Sequence, residues 1–493
     1  MCAALVVLAF GLTTGCSGNT SNEQTLSVGF TASPDAMDPT TNSAVAIAEA
    51  LVYNVYETLV KLDANGNIRP LLAKEWSVSA DQLTYIFQLE PNAKFASGAA
   101  VDAAAVVASI KRISENPNTT PVNKSQMSVV ATADVVDATT VKVVLQEPSN
   151  IWLYNMAGSM GIIIDPTADQ EALATTPAGS GPYLMKEWRK GESITFTKNP
   201  NYWASPANFD TVTFKYYADP NAMVTAMLSG DLDIVSNLSA PQTLGQFSDT
   251  TKYQSVIGDT NGEIVMGFNH DNAALSDLRV RQAIIYGLDR EALRDSVWAG
   301  IGTLIGSMVP PTDPWYQDLY DTYEYNPERA KALLAEAGYA SGLTLRLRIP
   351  VLPYATGSAQ FIVSQLGDVG ITVVVDELEF PARWVSEVMT DGNYDLTIVS
   401  HIEPRDIYKW ADPTYYWHYN NPEFQTLISE ATKASAEAEV VLMQQAAQVL
   451  ADDAAADFLW LLPSVKVAKV GLAGIPKNSI GWSFDLTAIT RNA

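Results

Sequence analysis

Leu343-Thr344-Leu345-Arg346-Leu347-Arg348-Ile349, then a run from Ala359 to Val369, then Ile371-Thr372-Val373-Val374-Val375: these residues decide the fold class. Apolar residues at every second position mark the first segment as a strand, because side chains alternate faces along an extended chain. The middle run carries apolar residues at helical spacing, and the third is a β-branched run that suits a strand. Strand, helix and strand in that order make a βαβ unit, whose right-handed crossover lays the two strands parallel.

The same grammar extends outward. Asn326-Pro327 supplies an N-cap and a proline at N1, Leu333 and Leu334 an apolar face, and Gly338 a C-cap. Asp277 and Asp289 each precede a helical pattern, as does Asp102 ahead of Val106, Ile110 and Ile113. A helix is expected around Trp384 to Met389, followed by a strand over 395–400. Leu83 to Leu89, Ile194 to Thr197, Val212 to Phe214 and Ile264 to Phe268 read as strands, and Asn221 to Ser229 as a helix stopped by Gly230. The class is α/β with a second α/β lobe.

At 493 residues and 47% hydrophobic, the chain has material for two or three packed domains. A net charge of -25 repels the phosphate backbone, which excludes nucleic acid as a partner. Beyond the first fifteen residues no stretch reaches the roughly 18 apolar residues that cross a bilayer. Cys2 and Cys16 are the only cysteines, so the body has no disulfide framework. Ala3 to Leu12 has the length and apolarity of a signal h-region, and the Thr14-Gly15-Cys16 ending resembles a bacterial lipoprotein signal. Thr13 stands where that motif has an aliphatic residue, and no Lys or Arg precedes the apolar run. An ordinary secretory signal with a chance cysteine is the other reading. The expectation is a signal over 1–15, lipidation of Cys16 and a polar tether over 16–25.

A wider resemblance rests on segments in a shared order: Leu72-Ala73-Lys74-Glu75-Trp76, Phe95-Ala96-Ser97-Gly98, Gly179-Ser180-Gly181-Pro182-Tyr183, Asn199-Pro200-Asn201-Tyr202-Trp203, Gly230-Asp231-Leu232-Asp233-Ile234, and Phe268-Asn269 through Arg279-Val280-Arg281-Gln282-Ala283 to Asp289-Arg290-Glu291. Together they resemble the family 5 extracellular solute-binding proteins of ABC importers, the oligopeptide-, dipeptide- and nickel-binding type. The resemblance implies a two-lobed, type II periplasmic-binding-protein-like fold with an extra domain, closing on ligand by a hinge. It divides the chain into lobe I (26–55, 178–262 and 470–493), an extra domain (56–177) and lobe II (263–469). It implies no catalytic residue and no cofactor, and the motifs themselves read as scaffold.

The densest chemistry is the loop from His401 to Asn421, which follows a strand end where α/β folds hold ligands. Trp410, Tyr415 and Trp417 offer broad walls with polar edges, although about half of the loop's aromatics are expected in the core. Family peptide binders hold the ligand's α-amino group with an acid in this loop, often within Trp-x-x-Asp-Tyr-x-Asp-Pro. Here only Ala411-Asp412-Pro413 keeps that pattern, and Glu403-Pro404-Arg405-Asp406 stands upstream. Glu403 or Asp406 is expected to take an amine and Arg405 a carboxylate. An internal pair between Arg405 and Asp406 or Asp412 is the alternative. Ser33 after the first strand and Trp482 near the C-terminus are further cleft residues.

The expected function is capture of short peptides at the outer face of the membrane by a monomer that serves an ABC permease. A nickel or metal-chelate role, using His401, Glu403 and His418, is one rival; a sugar or opine is another. A sensory or adhesive surface lipoprotein and an extracellular glycosidase belong to other classes. The chain contains no His-Glu-x-x-His, Gly-x-Ser-x-Gly or Gly-x-Gly-x-x-Gly motif, so it is not expected to be an enzyme.

Overall fold

The computed structural model describes residues 24–238 and 241–492. The signal sequence, Cys16 and most of the expected tether lie outside them. Gln24 and Thr25, expected in the tether, belong to the fold: Thr25 opens a strand, and the Gln24 amide donates to the Asp210 carboxylate at 3.0 Å.

A seven-stranded sheet has the order Tyr183–Arg189, Ser193–Lys198, Thr211–Tyr216, Thr25–Phe30, Ile234–Val235, Ser464–Lys469 and Tyr253–Gly258. Thr25–Phe30 runs parallel to both of its neighbours and the other pairings are antiparallel. Residues 464–469, expected with the segment 263–469, pair here instead. Ala73–Val78, Thr84–Leu89, Thr140–Leu145 and Val130–Asp137 form a separate antiparallel sheet, packed by the helix Ala103–Glu115 that Asp102 caps through the Ala105 amide.

The opening segments lie in a five-stranded sheet of order Ile371–Leu378, Leu343–Pro350, Leu396–His401, Glu263–Phe268 and Ala456–Leu461. Leu343–Pro350 and Ile371–Leu378 are parallel from Leu343↔Ile371 to Pro350↔Leu378, as the βαβ reading requires. The connecting helix is longer than expected, Pro353–Asp368, because Pro353 sits at its N-terminus, where a missing N–H costs nothing. The helix expected at 384–389 is a short turn, Ala382–Trp384, continued by the π-helical segment Val385–Thr390.

The chain passes between the two large sheets through short crossings, from Gly258 to Glu263 and from Leu461 to Ser464. The crossings are tied together: Thr260 Oγ1 donates to the Leu462 carbonyl at 2.6 Å, and the Leu462 amide to the Gly262 carbonyl at 2.8 Å. A Cβ at Gly262 would come within 3.2 Å of both Leu462 and Ser400, so only glycine lets the strands approach without a shift. Glu263 is the first residue beyond this junction.

Candidate functional site

Glu263 pairs with His401 across antiparallel strands, which puts both side chains on one face of the five-stranded sheet. Beyond His401 the backbone turns at Arg405, whose φ of 60° is left-handed, into the 3-10 segment Asp406–Ala411. That turn buries Asp406, Ile407 and Trp410. His401 Nε2 lies 2.9 Å from the Tyr416 hydroxyl and its Nδ1 3.3 Å from Asp406.

Arg405 points inward rather than to solvent. Its guanidinium carbon lies 4.1 Å from the ring centroid of Tyr154 and 4.7 Å from that of Trp315, a cation sandwiched between two aromatic faces. Asp313 is its carboxylate neighbour at 3.9 Å, beyond hydrogen-bond reach, and Arg405 Nε has no hydrogen-bond partner among the described residues. Tyr154 belongs to the helix Asn150–Asn155, whose Asn150 amide nitrogen donates to the carbonyls of Ala431 and Ala434. Trp482 backs Tyr154 at 5.4 Å and packs on Gly158, where a Cβ would meet its ring at 2.6 Å. Arg405 is thereby enclosed between the five-stranded lobe and the Tyr154 helix.

Four carboxylates lie close by. Burial pushes Glu263 well above the usual carboxylate range, and the charges of Asp406 and Asp313 push it further. Burial takes Asp313 up to about 6, against the pull of Arg405 and with a push from Asp406 and Glu439. Burial also raises Glu439, which accepts from the Tyr408 hydroxyl at 3.1 Å. Glu263 Oε2, Asp313 Oδ2 and both oxygens of Asp406 have no hydrogen-bond partner among the described residues. A buried group in that condition costs roughly 1–3 kcal/mol.

The expected residues divide. His401, Arg405 and Asp406 meet beneath the Tyr154 helix, which Trp482 supports. Glu403 does not: its side chain is 68% exposed and pairs with Lys409 at 2.6 Å on the surface, which corrects its assignment as the amine-binding acid. Asp412 is exposed as well and accepts from the Thr414 amide and hydroxyl, a local turn. Trp410 and Trp417 are corrected from ligand walls to core: they stack at 3.7 Å within the lobe's apolar cluster, fully buried. Tyr415 is half-buried with its ring 4.8 Å from that of Trp417, and Ser33 is half-buried three residues beyond Thr25–Phe30. The metal set does not converge, since His418 faces Asp271 at 3.6 Å and Glu403 faces Lys409. Among the described residues no three His, Cys, Asp or Glu are grouped to hold a metal ion.

Sequence reasoning passed over Glu263, Asp313, Trp315, Tyr154 and Glu439. For Glu263 a signal existed: it heads the strand Glu263–Phe268, whose every residue is buried and whose other members are apolar or glycine. Such a strand admits a charge only where something will meet it.

Two mixed α/β lobes joined by paired crossings define a two-lobed α/β binding-protein fold. The family model described as bacterial extracellular solute-binding proteins, family 5 Middle, matches residues 67–447, and the chain belongs to that family. It is 27% identical over 342 residues to a glutathione-binding protein, GsiB, of Salmonella paratyphi A, covering 68% of this chain and 66% of that protein, so the match spans just under two thirds of the relative's length. Among solved structures, HbpA2 from Haemophilus parasuis superposes with a TM-score of 0.85 at 21% identity, covering 95% of this chain and all of the other. The unliganded open form of the periplasmic murein tripeptide-binding protein MppA gives 0.84 at 20% identity, covering 96% and 98%. The fold is that of the type II periplasmic binding proteins.

Proposed function

We propose that this protein captures short peptides in the cleft between its lobes and delivers them to an ABC permease, held at the outer face of the membrane through a lipid on Cys16. Asp406 carries the reading: it is buried in the loop after Leu396–His401, and its only close ionic neighbour among the described residues is the His401 imidazole at 3.3 Å. A peptide's ammonium group fits such an acceptor, and its backbone donors and acceptors suit the neighbouring Ser400 and Arg405. The printed names of relatives, which speak of glutathione and of a murein tripeptide, support peptide-sized ligands. Binding rather than catalysis is the role, in keeping with a family described as solute-binding proteins.

Native mass spectrometry of protein purified from its own host tests the reading. Denaturation is expected to release a mixture of short peptides, and Asp406→Asn to reduce their retention. Release of a single metal chelate, sugar or opine would overturn it.

A further inference from the structure

The polar ties between the five-stranded lobe and the rest of the chain are few. At the crossings, Thr260 bonds to Leu462 and the Thr303 hydroxyl donates to Asp259 at 2.7 Å. Away from the crossings, every hydrogen bond, ion pair and ring contact between the two bodies, among the described residues, comes from one element, the six-residue helix Asn150–Asn155.

One side of that helix is anchored. Trp152 is fully buried, with its ring 4.8 Å from that of Tyr85 on the strand Thr84–Leu89. The small sheet it packs on is locked in turn to the seven-stranded lobe, since Arg112 pairs with Asp38 at 2.7 Å and Asn123 donates to the Pro39 and Thr40 carbonyls at 3.2 and 3.1 Å. The other side of the helix reaches across. Asn150 Nδ2 donates to the carbonyls of Ala431 at 2.8 Å and Ala434 at 3.1 Å, at the C-terminal end of the helix Pro422–Ala431, where the last carbonyls have no intrahelical donor and carry partial negative charge. Tyr154 covers one face of the Arg405 guanidinium, and Trp315, in the five-stranded lobe's own apolar cluster, covers the other.

Two bodies joined by short crossings turn about them unless something else ties them. Hydrogen bonds and a stacked cation make a tie that is lost within a small displacement, because both depend on distance and angle. We propose that the helix Asn150–Asn155 is a clasp: Asn150 and Tyr154 hold the Ala431–Ala434 turn and Arg405 when the lobes are together and let go when they part, so that the clasp sets how much of the ligand-free protein is closed. The inference does not depend on which solute is bound. Apparent affinity scales with the population of the form that encloses ligand, so the clasp strengthens retention from outside the ligand's contacts.

Small-angle X-ray scattering of the full ligand-free chain tests this, with hydrogen exchange as a second reading. Asn150→Ala removes both hydrogen bonds at a half-buried position, and Arg405→Gln removes the cation. Each is expected to raise the radius of gyration above the parent's, and Tyr154→Phe, which keeps the ring face, to leave it unchanged. In Asn150→Ala, amide exchange should rise at 150–155 and 431–435 while the five-stranded sheet stays as protected as in the parent. A radius unchanged in both Asn150→Ala and Arg405→Gln overturns the clasp, as does a parent whose scattering already matches separated lobes. Exchange that rises throughout the five-stranded sheet in both variants marks a folding defect and overturns it too.

Discussion

Glu57 and Glu263 are both buried glutamates that open short runs of strand, and their surroundings are opposite. Glu57 accepts from the Ser180 hydroxyl at 2.6 Å, the Tyr202 hydroxyl at 2.7 Å and the Trp203 indole N–H at 2.8 Å. Its donors come from the Gly179–Tyr183 and Asn199–Trp203 motifs, so segments that advertise the family meet on one carboxylate as a structural clamp. Burial still raises Glu57, while the three donors and Lys61 pull it back. Glu263 has neighbours of its own sign and an oxygen without a partner. Burial alone does not separate a structural acid from a binding one. Satisfaction is what differs between these two: Glu57 holds three donors, and Glu263 Oε2 has none among the described residues.

The largest expected effect is at the clamp. Glu57→Leu strands three donors at once and should cost about 3 kcal/mol or more in urea denaturation. A loss below about 1 kcal/mol would break the contrast. Next comes Glu263→Gln, which replaces an unpaired charge by a neutral amide and should stabilise the ligand-free protein by about 1–2 kcal/mol above neutral pH; a destabilised variant would mean that Glu263 is a clamp too.

The same contrast has a pH signature. Glu263 is raised and Asp313 lies at about 6, so above the ordinary range near about 4 the native chain keeps protons that the unfolded chain has released. Stability should therefore fall as pH rises from that range through about 6, and Asp457, raised by burial to about 7, extends the fall. Melting temperatures across this window should show a shallower decline for Asp313→Asn than for the parent; parallel curves would remove Asp313 from the account. The smallest effect is at the surface: Glu403→Gln should change stability by under about 0.5 kcal/mol, because its pair with Lys409 is solvent-screened. A loss of peptide binding in that variant would return Glu403 to the site.

Much of the scaffold was legible locally. Asp102, Asp277, Asp289 and Asn326 cap the helices their positions announced, and Gly230 and Gly338 adopt the left-handed conformation expected of them. Caps and turns are decided by residues a few positions apart, so a linear reading finds them. The site was legible only in part. The loop at 401–421 was visible as a concentration of aromatic and charged groups, yet which side chains turn inward follows from one left-handed residue, Arg405, and the short helical turn after it. Trp410 and Trp417 look like a binding wall in sequence and become core, since stacking on each other and packing Phe458 buries more apolar surface than facing a wet cleft.

By itself, then, the sequence determined the class, the βαβ unit and the capped helices around it, the family and the loop densest in aromatic and charged groups, all properties of period, capping and motif order. Tertiary structure alone decided that Tyr154, Asp313 and Glu439 stand around Arg405 with Glu263 beside Asp406 and Asp313, that Glu403 faces water, and that Ser464–Lys469 returns to the first sheet. The physical reason is range. Helix and strand signals act over a few residues, whereas the electrostatics of a buried charge cluster depend on distances in space that no spacing along the chain encodes.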